Sequence, residues 1–239
     1  MGSKIENKKK NEGNWRRYLF EFLSIFIGVT MAFTLERCNE NRRDRVSENK
    51  TLIEISNGLH SDLEDLELNM KGHHIGIKAC HFFRKAIRNE WIDQDSVGYY
   101  YHYLLRDFIS IQNKSGYESL KSKGLELISN DSLRLQIIDL YDFDYEVIEK
   151  LEEQYAEKQF HKSYFASIND LLVEYMEFDA AGALIQLNQP VQLSPKDQKT
   201  ILSYLWKMEF NRNFRIDYYT TVKLKLEKLI NDIDQSIKN

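Results

Sequence analysis

From Tyr18 to Leu35 the chain reads Tyr-Leu-Phe-Glu-Phe-Leu-Ser-Ile-Phe-Ile-Gly-Val-Thr-Met-Ala-Phe-Thr-Leu, eighteen residues with one charge, in a protein whose mean hydropathy is -0.54. A helix of roughly 20 mostly apolar residues matches the hydrocarbon core of a bilayer, about 30 Å thick. Trp15, Arg16, Arg17 and Tyr18 supply interfacial anchors at one end, and Glu36, Arg37, Asn39, Glu40 and Asn41 end the run at the other. The run therefore predicts one transmembrane helix over residues 18–36 behind a basic tail, residues 1–17. A cleavable signal peptide fits poorly, because Ala32-Phe33-Thr34-Leu35-Glu36 lacks a small-x-small site and no small residues precede Cys38 as in a lipoprotein signal. A buried helix of a soluble protein fits poorly too, since Phe22, Phe26, Val29 and Phe33 would need covering all round.

At 100° per residue Glu21, Ser24, Gly28, Met31, Ala32 and Leu35 share one stripe, opposite Phe22, Phe26, Val29 and Phe33. Ser24, Gly28 and Ala32 form a small-xxx-small ladder, which lets a second helix come close in lipid, so a homo-oligomer or another membrane helix is the expected partner beside the bilayer itself. Glu21 lies just inside the boundary, one turn from Arg16 and Arg17. That position suits a snorkelling or salt-bridged interfacial carboxylate better than a conducting one.

Six basic residues precede the span (Lys4, Lys8, Lys9, Lys10, Arg16, Arg17) and five follow it closely (Arg37, Arg42, Arg43, Arg45, Lys50), so charge bias barely orients it. A span this near the start can act as an uncleaved anchor with a cytoplasmic tail, which places the rest on the exported side of a bacterial inner membrane. Cys38 and Cys80 do not decide between compartments, and two thiols exclude a disulfide scaffold.

Residues 1–50 hold 11 basic and 7 acidic side chains and residues 51–239 hold 22 and 30, so the juxtamembrane part is basic and the body acidic. The overall charge of -4 leaves the chain without the electrostatic footprint of a nucleic-acid-binding protein. With 10 Gly and 2 Pro in 239 residues there are too few turn formers for a strand-rich fold. Apolar positions at alternating three- and four-residue steps from Leu52 to Trp91 predict a long amphipathic helix, residues 37–91 with its juxtamembrane start, able to continue the span. A bundle over 92–239 packs with it: an aromatic-faced helix from Val97 to Ile109, a short one from Tyr117 to Lys123, and a long pattern from Leu133 through Phe160 and Tyr164 to Phe178, opened by Ser129-Asn130-Asp131. Ser194-Pro195 then opens a helix to Phe210, and a last one runs from Asn213 to Lys238. The expected fold is all-α, an N-terminal transmembrane helix followed by an antiparallel bundle of long helices.

Two blocks, Trp15-Arg-Arg-Tyr-Leu through Cys38-Asn39-Glu40-Asn41-Arg42, and Tyr117-Glu-Ser-Leu-Lys-Ser-Lys-Gly124 with Asn130-Asp-Ser-Leu-Arg134, resemble an uncharacterised family of single-pass membrane proteins from Bacteroidota. The family more often has tryptophan where this chain has Cys38. The blocks cover about a quarter of the chain, and the resemblance implies a helical membrane-anchored protein without bringing an activity, cofactor or catalytic residue.

Chemistry is sparse. His74 and His81 share a helix face, but seven residues put them about 10 Å apart, too far for one ion, so His73, His74, Cys80 and His81 are read as ordinary core or surface residues. Asp139, Asp142, Asp144, Glu146 and Glu149 lack the glycine and loop of a calcium site and are read as a solvated face. Tyr99, Tyr100, Tyr101 and Tyr103 with His102 are read as a tyrosine-rich packing face rather than a ligand pocket. No phosphate loop, nucleophile elbow or zinc-protease helix is present, so neither enzyme nor cofactor is expected. The leading expectation is a membrane-anchored scaffold or interaction protein joined through the small face of its span. A sensor or transport accessory signalling through the membrane helix, and an ion pathway lined by Glu21, are the alternatives.

Overall fold

The computed structural model describes residues 6–155 and 165–238 of the 239. The expected pattern positions Phe160 and Tyr164, and the side chains of the tail lysines Lys4, Lys8, Lys9 and Lys10, lie outside the described ones. The fold is all-α, 82% helical with two short strands. Contacts divide it into two units, Met1–Lys50 and Thr51–Asn239.

The helix α1 runs from Glu6 to Ile87. In the first unit it carries the apolar run, and every side chain from Trp15 to Val46 is exposed. It is the one helix among the described residues long and apolar enough to cross a membrane, and none of its apolar window is buried in the protein. Ser24, Thr30 and Thr34 each donate their hydroxyl to the carbonyl four residues earlier, at 2.8, 2.8 and 2.7 Å. These hydroxyls thus bring no unsatisfied donor to the surface of the apolar run.

In the second unit, residues 51–87 of α1 meet α2 (Val97–Leu105), α3 (Ser115–Lys123), α4 (Asp131–Asp139), α5 (Tyr145–Glu149), α6 (Ala166–Leu172), a hairpin of β1 (Met176–Phe178) and β2 (Leu184–Leu187), and α7 (Pro195–Lys238). Arg84 pairs with Glu209, His73 contacts Arg212, and Glu67 pairs with Lys223 at 2.5 Å, so α7 returns antiparallel along α1. The helix predicted to reach Trp91 stops at Ile87. Asn89 turns left-handed (φ 57°), while the Glu90 and Asn89 amides donate to the carbonyls of Lys85 and Ala86, both at 3.0 Å. That is a Schellman closure with asparagine in the glycine position. Trp91 follows it and is exposed.

Four further differences separate the structure from the sequence pattern. The helix expected to continue to Ile109 ends at Leu105, and residues 106–114 form a non-helical strap. The long pattern from Leu133 is interrupted by π-helical turns at Leu140–Asp144 and Lys150–Gln154. Its far end, expected to be helical to Phe178, is the first strand of a hairpin, with Met176 opposite Leu187 and Glu177 opposite Gln186. Gly182, at φ 82°, serves the turn, where Asp179 Oδ1 accepts the Ala181 and Ala183 amides. Finally, the two helices expected at 195–210 and 213–238 are one, α7.

The core has two apolar clusters. One joins Leu52, Ile55, Leu59 and Leu66 of α1 to Tyr117, Leu120, Ile137, Tyr145, Ile148, Val222, Leu226 and Ile233. The other joins Ala79, Phe83 and Ile87 to Val97, Leu104, Ile168, Leu172, Leu187, Ile201, Leu205 and Met208. Between them, on both α1 and α7, the core-facing positions are polar: His73 on one helix and Arg212 and Arg215 on the other, all buried.

Candidate functional site

In the first unit, Trp15, Tyr18, Phe20, Phe22 and Phe26 are exposed, and Phe22 stacks on Phe26 at 6.2 Å between ring centroids. Arg17 donates from Nε to Glu21 at 3.3 Å, the paired arrangement expected for that carboxylate. Arg16 is exposed beside them. Ser24, Gly28 and Ala32 lie exposed, and a Cβ built on Gly28 would meet nothing within 4 Å. This face has room for a second backbone.

The second unit contains a layer that the sequence pattern did not reveal. Arg212 reaches from α7 over Gly76 of α1, where a Cβ would stand 2.5 Å from the guanidinium. Its Nη2 donates to the carbonyls of Tyr103, Leu104 and Arg106 at 3.1, 3.3 and 2.9 Å. A cation on the last carbonyls of α2 satisfies groups that the helix end leaves open and meets the negative end of its dipole. Arg212 Nη1 also lies 3.3 Å from His73 Nδ1. Burial, and then Arg212 and Arg215, hold the His73 imidazole well below its ordinary range, so it is neutral. Arg215, one turn on, pairs with Asp107 at the start of the strap.

The strap is pinned by carboxylates from two sides. From α1, Asp62 accepts the Asn113 amide and the Tyr145 hydroxyl, each at 2.6 Å. Asp65 Oδ2 accepts the Ser110 hydroxyl at 2.9 Å, the Ile111 amide at 3.0 Å and Asn69 Nδ2 at 3.0 Å. From the second π turn, the buried Glu152 accepts the Ser110 amide at 3.1 and 3.2 Å and contacts the Tyr219 hydroxyl. Desolvation pushes the Glu152 carboxyl up to about 8, against the Ser110 hydrogen bond and the Arg215 charge that favour ionisation. Phe108 anchors the strap. It stands edge-on to His73 at 5.6 Å and fills the notch at Gly72, where a Cβ would come within 2.3 Å of its ring. Side chains here do the work that a neighbouring strand does in a sheet, by accepting the Ser110, Ile111 and Asn113 amides, of which Ser110 is buried.

The other singled-out residues fall into place separately. Cys80 is buried, which pushes its thiol up to about 11, whereas His74 is exposed and the exposed His81 meets Glu209 at 2.8 Å. No group of three or more metal-ligating side chains stands together among the described residues. In the acidic run, Glu146 pairs with Lys150 at 2.7 Å, Glu149 with Lys114 at 3.1 Å, and Asp142 accepts the Tyr117 hydroxyl at 2.8 Å. Asp144 departs from the expected solvated face. The first π turn buries it, where it holds Lys225 at 2.7 Å. The tyrosines of α2 pack: Tyr100 stacks on Phe82 at 4.7 Å, Tyr101 donates to Asn169 at 2.5 Å, and Tyr103 stacks on Phe108 at 5.8 Å.

No family model, curated protein or solved structure matches the chain. Its own geometry is therefore the ground for a functional reading. Sequence inspection missed Asp62, Asp65, Glu152, Arg212 and Arg215. The signal was present as charges on the core-facing stripe, with Arg212 following Met208 and Arg215 preceding Ile216 and Tyr219.

Proposed function

We propose that the protein is a membrane-anchored helical scaffold or interaction module, held in the bilayer by residues 18–36 and joined to a second copy or another membrane helix along Ser24, Gly28 and Ala32. The observation that carries this reading is the uncovered apolar run: Phe20 is 77% exposed and Ile25 68% exposed, and a lipid environment removes the cost of leaving such side chains open. The resemblance to single-pass membrane proteins of Bacteroidota supports a bacterial membrane anchor, and the position of the span behind a short basic tail supports an inner-membrane signal anchor with the tail cytoplasmic and the body exported. No catalytic role, cofactor or nucleic-acid partner enters this reading.

Gly28→Leu tests it. The open space around Gly28 means the substitution costs the isolated protein little, so a loss of assembly reports on the face and not on folding. Cross-linking of the full chain in detergent should capture an oligomer or a partner that Gly28→Leu reduces at least fivefold. Equal capture by both proteins would remove the packing reading. A second reading, a sensor or transport accessory, draws support from the strap, since a segment held by buried carboxylates is a means of responding to conditions.

A further inference from the structure

Asp65 and Glu152 approach the strap from opposite sides and meet on one residue, Ser110, the first at its hydroxyl and the second at its amide. Burial is the main cause that disfavours a charged Glu152, and the Asp107 and Asp65 carboxylates add to it, so Glu152 is the one that retains its proton at neutral pH. Asp65 is only half-buried and takes three donors on one oxygen. Glu152 is 4% exposed, between the strap and Tyr219. A protonated Glu152 can donate to the Tyr219 oxygen while its other oxygen still accepts the Ser110 amide, so the closed geometry is satisfied with the proton in place.

We propose that Glu152 is a proton-holding latch: the strap formed by residues 106–114 lies closed over α1 and α7 while this carboxyl is neutral, and loss of its proton releases the strap. The inference rests on the body alone and stands whatever the span binds. The described charged and titratable groups around Glu152 include Asp65 from α1, Asp107 from the strap, Arg215 and Tyr219 from α7, and Lys114, Glu149 and Glu153, which line the same cavity. His73 lies behind Tyr219, their rings 5.8 Å apart. His73 is neutral while the strap is closed, and above its ordinary range it is neutral with the strap open as well, whereas Asp62, also raised by burial, holds only the Asn113 amide of the strap, so Ser110 is the amide that reads Glu152.

The sign follows from linkage. Closed, Glu152 binds its proton up to about pH 8. Open and hydrated, it releases the proton near the usual carboxylate range, so opening becomes easier as pH rises and levels off above about 8. Hydrogen–deuterium exchange of the full chain in detergent micelles reads this at the amide of Ser110, after correction for intrinsic exchange chemistry. Its protection should fall more than tenfold between pH 6.5 and 8 and then level off. Glu152→Gln, which imitates the protonated form, should remove the slope and leave the strap closed throughout. Asp65→Asn, which removes the neighbouring charge, should move the levelling-off to lower pH. A strap merely loosened by that substitution would exchange faster at every pH without moving it. Protection that is flat in the unmodified protein, or a slope that survives Glu152→Gln, would overturn the proposal.

Discussion

Single residues in the charged layer carry unequal consequences because their partners differ. Removing Arg212 uncovers three carbonyls at and just beyond the end of α2 and empties the space over Gly76, so Arg212→Ala should cost about 1–3 kcal/mol for each carbonyl left unsatisfied. Denaturant unfolding of the full chain in detergent measures it. Gly72→Ala fails for a different reason. The new methyl group meets the Phe108 ring and should cost about 1–3 kcal/mol by overpacking, whereas Gly28→Ala, in open space inside a helix, should be neutral or stabilise by about 0.5–1 kcal/mol. These residues were poorly legible in the sequence. A charge on an apolar stripe reads as a break in the pattern, and Arg212 falls in the gap between the two helices expected at 195–210 and 213–238. Glu21 was the legible charge, because its neighbour Arg17 is on the same helix, whereas Arg212 finds its partners across more than a hundred residues.

Elements were legible where local signals suffice. Asn130 begins α4 and accepts the Leu133 amide at 3.2 Å, as its position before the apolar pattern implied. Asn130→Ala should lower stability by about 1 kcal/mol, checked by the same unfolding measurement. The Pro195 start of α7 followed the same logic. The hairpin was not legible, since strands of three and four residues are too short to show alternation. What fixes it is tertiary: the Leu184 carbonyl lies where a Cβ on Gly98 would be, 2.5 Å away, and Gln94 accepts the Leu187 amide at 3.0 Å. The end of α2 at Leu105 likewise depends on distant groups, namely Arg212 and the carboxylates that hold the strap.

For the molecule as a whole, the buried ionisable groups set how stability changes with pH, and two of them act in opposite senses. His73 is held below its ordinary range in the folded state, so its contribution is lost as pH falls below about 6.5. Glu152 is raised, so its contribution is full below the usual carboxylate range and is lost as pH rises toward about 8. Below pH 6.5 the two slopes oppose each other, and from 6.5 to 8 the Glu152 slope persists. The unfolding midpoint should therefore fall across that upper window, and Glu152→Gln should flatten it, as a thermal scan at several pH values would register. Fold class was legible at this scale because an eighteen-residue apolar run and scarce turn formers constrain it heavily. The two-cluster core was not, because contacts between α1 and α7 decide where one cluster ends.

The π turns at Leu140–Asp144 and Lys150–Gln154 have a bearing on descent. Leu133, Ile137, Tyr141 and Tyr145 are all buried and stand four apart, yet twelve residues of regular α-helix would carry the last of them about 120° away from the first. The wider turn absorbs that drift. A wider turn holds one residue more than a regular helix, and a chain lacking one residue in each turn would have an unbroken α-helix over residues 131–154. In that form Asp144 and Glu152 would have faced other directions, so relatives aligned with a single-residue gap in either turn should lack the inward carboxylate that belongs to it.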